Sequence, residues 1–113
     1  MLPASRRLRL TRDFERAFSV GKTIGGSLLR VRYLPSTRTR SRFAVVVSAK
    51  VSKRAVVRNR IRRRIWAVIA ASDFLIPSGL DIIIISSPEA AKAEYPAIKQ
   101  EVGYLLTKRL HKP

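Results

Sequence analysis

The sequence predicts one two-layer α+β domain, with three helices on a small mixed sheet of four strands in the order α-β-β-β-α-β-α. Three observations predict it. Hydrophobic periodicities run in the order helix, two or three strands, helix, strand, helix. The chain has 113 residues, 46% of them hydrophobic, enough to bury a core without crosslinks. Four consecutive isoleucines, Ile82–Ile85, suit a central strand covered on both faces.

The elements follow in order. Residues 1–10 are basic and read as irregular, with Leu8 and Leu10 as candidates for core contact. Thr11 can cap a helix over Arg12–Val20, with Asp13 and Glu15 in its favourable first turn. Phe14, Ala17 and Phe18 recur at helical spacing, and Gly21 ends the helix. Lys22–Ile24 reads as a very short strand before the Gly25-Gly26 turn. Leu28–Leu34 alternates, with Leu29, Val31 and Tyr33 on one face and Arg30 and Arg32 on the other. After a polar loop at Pro35–Arg40, Arg42–Ser48 is β-branched in its middle and is expected to form a hairpin with the strand before it.

A long helix is expected over Lys53–Ser72, because Val57, Ile61, Ile65, Val68 and Ile69 fall on one stripe. Its opposite side shows Asn59, Arg62, Arg63 and Trp66. Pro77, Ser78 and Gly79 form a turn before the strand Leu80–Ser86. Ser87-Pro88-Glu89 starts a helical segment. Pro96 breaks or restarts it, and a helix continues to about Leu110, with Ile98, Val102, Leu105 and Leu106 inward. There is no internal repeat or linker, so the chain reads as a single domain over 1–113.

Charge is the second signal. The formal net charge is +17, from 24 Lys and Arg against 7 Asp and Glu. Residues 1–64 hold 19 basic and 2 acidic residues, whereas residues 65–113 hold 5 of each. The excess therefore lies wholly in the first part of the chain, which points to a polyanionic partner. A hydrophobic fraction of 46% is too high for a disordered basic tail. A folded domain with one positive region fits nucleic acid.

Several classes are excluded or disfavoured. Without cysteine there is no disulfide framework and no thiolate metal site. No apolar run approaches membrane-spanning length, and the basic N-terminus lacks the apolar stretch of a secretory signal, so the cytoplasm is the expected location. No catalytic residue is assigned. The only histidine, His111, is the third residue from the end, and the five carboxylates of the second half are scattered. Asp81 opens a strand and is expected to cap a turn rather than bind metal. There is no Gly-rich phosphate loop and no metal-ligand spacing.

Lys50–Arg64 carries the chemistry. Eight of its fifteen residues are basic and none is acidic. Such a helix repels itself unless phosphates occupy its face. Arginine offers a planar fork for phosphate oxygens and a plane that stacks on bases, and Asn59 can bond a base edge or a 2′-hydroxyl. Trp66 has two readings, packing on the C-terminal segment or a loop, or a stacking platform for an unpaired base. Phe14 and Phe18 also have two, ordinary core or the edge of a groove beside Arg16, Arg30 and Arg32. Basic residues interleaved with aromatics describe a groove for single-stranded nucleic acid.

The stretch from Ser48 to Arg63 resembles the signature of the protein subunit of bacterial ribonuclease P. Its core reads Lys53, Ala55, Val56, Arg58, Asn59, Arg60, then Arg62 and Arg63. Asp13-Phe14 with Phe18, and Gly79-x-Asp81 before the isoleucine run, are similar to further family positions. The chain departs from the usual pattern at Ala49-Lys50-Val51-Ser52, where the family has Lys-Lys-Val-Gly. It departs again at Trp66-Ala67, where the family has Arg-Glu, and at Ser87, where Arg is frequent.

The resemblance implies a fold of the ribosomal-protein S5 second-domain type with a left-handed βαβ crossover, an exception to the usual hand. It also implies a role. The family's catalyst is a large RNA that uses Mg²⁺, held mainly by that RNA, to cut the leader from the 5′ end of precursor tRNA. The protein is implied to be inactive alone and to act as one monomer per RNA. Matched positions imply that Arg58, Asn59, Arg60, Arg62 and Arg63 contact the catalytic RNA, with Lys53 and Arg54 of the same motif beside them. The leader groove is expected to contain Phe14, Phe18, Arg32 and Lys50, and Arg16, Arg30 and Trp66 are grouped with it. A ribosomal or ribosome-assembly protein, and an autonomous RNase, are the competing readings.

Overall fold

The computed structural model describes residues 2–9 and 11–111; Leu10, an expected core position, lies outside them. Three α-helices and four strands form a mixed sheet with helices on both faces, a third layer beyond the two expected. The helices are α1 (Thr11–Val20), α2 (Ala55–Ser72) and α3 (Tyr95–Thr107), and the strands are β1 (Lys22–Gly25), β2 (Leu29–Pro35), β3 (Arg42–Val46) and β4 (Leu80–Ser86). Short 3-10 turns occur at Ala4–Arg6, Asp73–Leu75, Pro88–Ala91 and Arg109–His111. Pro96 does not break α3; it occupies the first turn, where its missing N–H costs nothing.

The strand order is β1-β2-β4-β3, with β3 and β4 parallel and the other pairs antiparallel. This corrects one expectation: β2 and β3 are not a hairpin, and β4 lies between them. The reason is visible in β4 itself. Ile82, Ile83 and Ile84 are all fully buried, which requires a neighbour on each edge and a helix layer on each face. The hairpin is instead β1–β2, and α2 carries the parallel crossover from β3 to β4. Gly79 precedes β4 with a φ of +78°, a left-handed conformation that glycine adopts without penalty.

The alternation along each strand separates two apolar clusters. Leu29, Val31, Phe43, Ile82 and Ile84 face α2 and α3, against Ile61, Ile65, Ile69, Ile98, Val102 and Leu106. Ile83 faces the other way, with Leu34, Ala44, Val46, Ile85, Ala17 and Phe14. Leu8 joins this second cluster, as its apolar character predicts. The segment before it lies along the edge of β3, where Leu8 N–H donates to the Phe43 carbonyl. That contact covers an otherwise open strand edge.

Glu101 of α3 holds the β1–β2 turn. Its carboxylate accepts from the backbone N–H of Ser27, Leu28 and Leu29 and from the Ser27 hydroxyl, at 2.8–3.1 Å. A Cβ at Gly26 would come within 2.5 Å of that carboxylate, so glycine makes the close approach possible. Glu101→Ala is expected to lower stability by about 2 kcal/mol, since a hydrogen bond to a charged group contributes roughly 1.5–3 kcal/mol and this one is partly exposed. Urea unfolding checks this. The midpoint should fall with an unchanged slope, and an unmoved midpoint would contradict the cap.

Candidate nucleic-acid interface

The basic motif lies on the first three turns of α2 and in the turn before it. Ile61, Ile65, Val68 and Ile69 are buried and anchor the helix to the sheet. The helix starts at Ala55, two residues later than the expected Lys53, because Arg54 is extended. Lys53, Arg54, Asn59, Arg60 and Arg63 are exposed, while Arg58 and Arg62 are half-buried. Arg58 donates to the Ser52 carbonyl at 2.8 Å and ties the preceding turn to the helix. Arg62 donates to the Asn59 side-chain oxygen at 2.6 Å, which orients both groups.

None of these cations has an acidic partner among the described residues. Four of the seven acids are committed elsewhere. Asp73 takes Arg6 and Arg40, Asp13 and Asp81 take Arg42, and Glu101 holds its turn. The one-signed face of α2 is therefore intrinsic to the fold.

A second basic and aromatic group lies on the opposite face of the sheet. Phe14 and Phe18 stack at 6.0 Å between ring centroids; Phe14 is half-buried and Phe18 is 47% exposed. Phe14 thus packs against the smaller core cluster, and Phe18 remains exposed beside it. Arg32 stands over the Phe18 ring at 5.6 Å and donates to Thr23 Oγ1 and the Gly21 carbonyl. Arg30 is exposed in the adjacent row, level with Gly25 and Ile85, and Val46 continues that row on β3. Lys50 is exposed in the turn after β3.

Two expected groove residues are elsewhere. Arg16 projects from the other flank of α1 and lines a cavity with Arg12, Pro35, Arg38 and the Arg42–Asp81 pair. Phe18 is four positions after Phe14 but Arg16 only two, so a helix cannot present all three together. Trp66 lies in the α2 layer, half-buried against the main core, with the Arg7 guanidinium 4.7 Å above its ring. It packs under the N-terminal segment. Asp81 also differs from expectation: it is buried and takes Arg42 Nε and Nη2 at 3.0 and 2.9 Å, so it is not a turn cap.

Arg7 and Leu2 were not singled out by sequence, yet both line a cavity with Asn59, Arg63 and Trp66. The alternation Arg7-Leu8-Arg9 was the available signal for an extended, pairing segment.

No described group of three or more His, Cys, Asp or Glu is arranged to hold a metal ion. The two carboxylates that converge, Asp13 and Asp81, do so on Arg42. Among the described residues, these two carboxylates are thus occupied by an arginine. No helix among the described residues is long and apolar enough to cross a membrane.

The family model for ribonuclease P matches residues 2–110. The chain belongs to the ribonuclease P protein family. Relatives described as the ribonuclease P protein component include one from Microcystis aeruginosa, 40% identical over 95% of this chain and 92% of that protein. Another, from Synechocystis, is 37% identical over 94% of this chain and 86% of that protein. Among solved structures, the RNase P protein of Thermotoga maritima aligns with a TM-score of 0.83 at 26% identity, covering 90% of this chain and 98% of that one. The RNase P protein of Staphylococcus aureus shares the fold, with a TM-score of 0.83 at 23% identity over 95% of each chain. The chain is a ribonuclease P protein component by family.

Proposed function

We propose that this chain is the protein subunit of a ribonuclease P ribonucleoprotein, binding the catalytic RNA through α2 and the 5′ leader of precursor tRNA through the Phe18–Arg32 groove. The observation that carries the reading is the acid-free Arg–Asn face of α2 in a chain of this family. Arg58, Asn59, Arg60, Arg62 and Arg63, with Lys53 and Arg54 beside them, bind phosphates and sugar edges of the RNA. The groove is the smaller set Phe14, Phe18, Arg30, Arg32 and Lys50. Its partial burial favours an extended single strand, with a base on Phe18 and phosphates on Arg30 and Lys50.

The division of labour follows. In this reading the chain supplies binding and orientation, and its described residues hold no cluster arranged for a metal ion. Mg²⁺ is assigned to the RNA, and no step of hydrolysis is routed through the protein. The chain acts as a cytoplasmic monomer, one per RNA, and is inactive alone.

Leader binding is tested by filter binding of a single-stranded 5′ leader RNA at varied salt. About six neutralised phosphates give a log–log slope of roughly −4 for a single strand. Phe18→Ala should weaken binding by about 1–3 kcal/mol without changing that slope, because a stacked ring is lost and no charge is. A flat salt dependence, or an unaffected Phe18→Ala variant, would contradict the groove.

A further inference from the structure

The cavity beside Trp66 adjoins the Arg–Asn face of α2 and is separate from the proposed leader groove. It measures about 600 Å³ and lies between the N-terminal segment and the outer face of α2. That volume is within the usual range for a small-ligand site. Its floor is apolar, made by Trp66, Leu2, Ala67 and Ala70. Its rim carries Arg7, Arg62 and Arg63, with no acidic residue among the described lining residues. None of these three arginines forms an ion pair among the described residues. The Arg7 guanidinium already lies over the indole at 4.7 Å, which builds a planar cationic platform. Arg62 fixes the Asn59 oxygen, which leaves the Asn59 amide N–H groups to donate.

We propose that this cavity takes one unpaired nucleobase of the catalytic RNA, seated against the Trp66–Arg7 platform, with its phosphate at Arg62 and Arg63. An apolar floor gives a bare phosphate nothing, and three uncompensated arginines disfavour an apolar peptide. A nucleotide satisfies both halves, with a π-face for the floor and an anion for the rim. Asn59 is placed to donate to an acceptor on the base edge. Segment 2–7 thereby becomes part of the RNA-binding surface. The inference rests on the ribonuclease P reading but concerns a site apart from the leader groove, because Trp66 and Phe18 are on opposite faces of the sheet.

Trp66 is the chain's only tryptophan, so its emission reports on this cavity alone. The intact chain is titrated with its RNase P RNA, with pentaadenylate RNA and with inorganic tripolyphosphate. Both RNAs should quench Trp66, and tripolyphosphate should not. Trp66→Leu should bind RNase P RNA about tenfold more weakly, within what loss of one stacked base gives, and Trp66→Phe should recover most of that loss. The fluorescence measurement on the unmodified chain decides the matter even if a variant folds poorly. Unchanged emission while the complex forms, or equal quenching by tripolyphosphate, would overturn the inference. If those results accompany normal stimulation of leader removal, the cavity assignment alone fails. If the unmodified chain gives no stimulation, the ribonuclease P reading fails with it.

Discussion

Replacing Arg58 and Arg60 together with alanine is expected to weaken binding to RNase P RNA by about 10²–10⁴-fold, because each charge-assisted hydrogen bond contributes roughly 1.5–3 kcal/mol. The two side chains differ in what else they do. Arg60 is exposed and forms no ion pair among the described residues. Arg58 also bonds the Ser52 carbonyl, so its loss costs about 1 kcal/mol of stability and loosens the turn before α2. The single Arg60→Ala variant therefore isolates the RNA contact. Salt dependence adds a second readout, since removing two phosphate contacts should flatten the log–log slope by about 2. Binding measured by gel shift at several salt concentrations checks both. Unchanged affinity with an unchanged slope would remove α2 from the interface.

Asp81→Ala should be the most damaging single change to the fold. Arg42 and Asp81 are both nearly buried, with side chains 7% and 10% exposed. Burial opposes the charge on Arg42, but hydrogen bonds and charge attraction from Asp81, and then from Asp13, outweigh it and raise its pKa above the ordinary guanidinium value. A group whose folded pKa is raised contributes stability below its unfolded pKa and loses it only as pH rises through the folded value. This contribution would disappear only in strong alkali. Removing Asp81 leaves a buried, half-compensated cation, with Asp13 at 3.3 Å as its remaining partner. The expected loss is about 3–5 kcal/mol, or roughly 10–20 °C in Tm for a domain of this size. The double change Arg42→Met with Asp81→Leu removes both charges and should cost less than Asp81→Ala alone. Thermal unfolding of the three chains tests the order. If the double variant were the least stable, the pair's charges would be net stabilising.

The contrast between these two sites shows what a sequence reveals. The face of α2 was readable because its residues are local: four buried apolar positions at helical spacing orient the helix, and the charges follow. The Arg42–Asp81 pair joins residues 39 apart, and Glu101 reaches a turn more than 70 residues away. No periodicity connects such partners. Strand pairing failed for the same reason. The isoleucines announced a central strand, but the β2–β3 hairpin was expected independently, although a central β4 needs a strand on each side. Within the groove, Phe14 and Phe18 are a same-face pair at i and i+4, whereas Arg16 was grouped with them by charge alone. Trp66 was placed correctly on the helix wheel, but the segment that covers it comes from the chain's N-terminus, beyond any local rule.

We propose that this chain assists a catalytic RNA and does not cut RNA itself. The direct measurement is reconstitution of the full chain with its RNase P RNA and a precursor tRNA at limiting Mg²⁺ and moderate salt. The expected result is 5′ leader removal by the RNA and protein together, little by the RNA alone under those conditions, and none by the protein alone. Cleavage by the protein free of RNA, or leader removal that the protein leaves unchanged, would contradict the account.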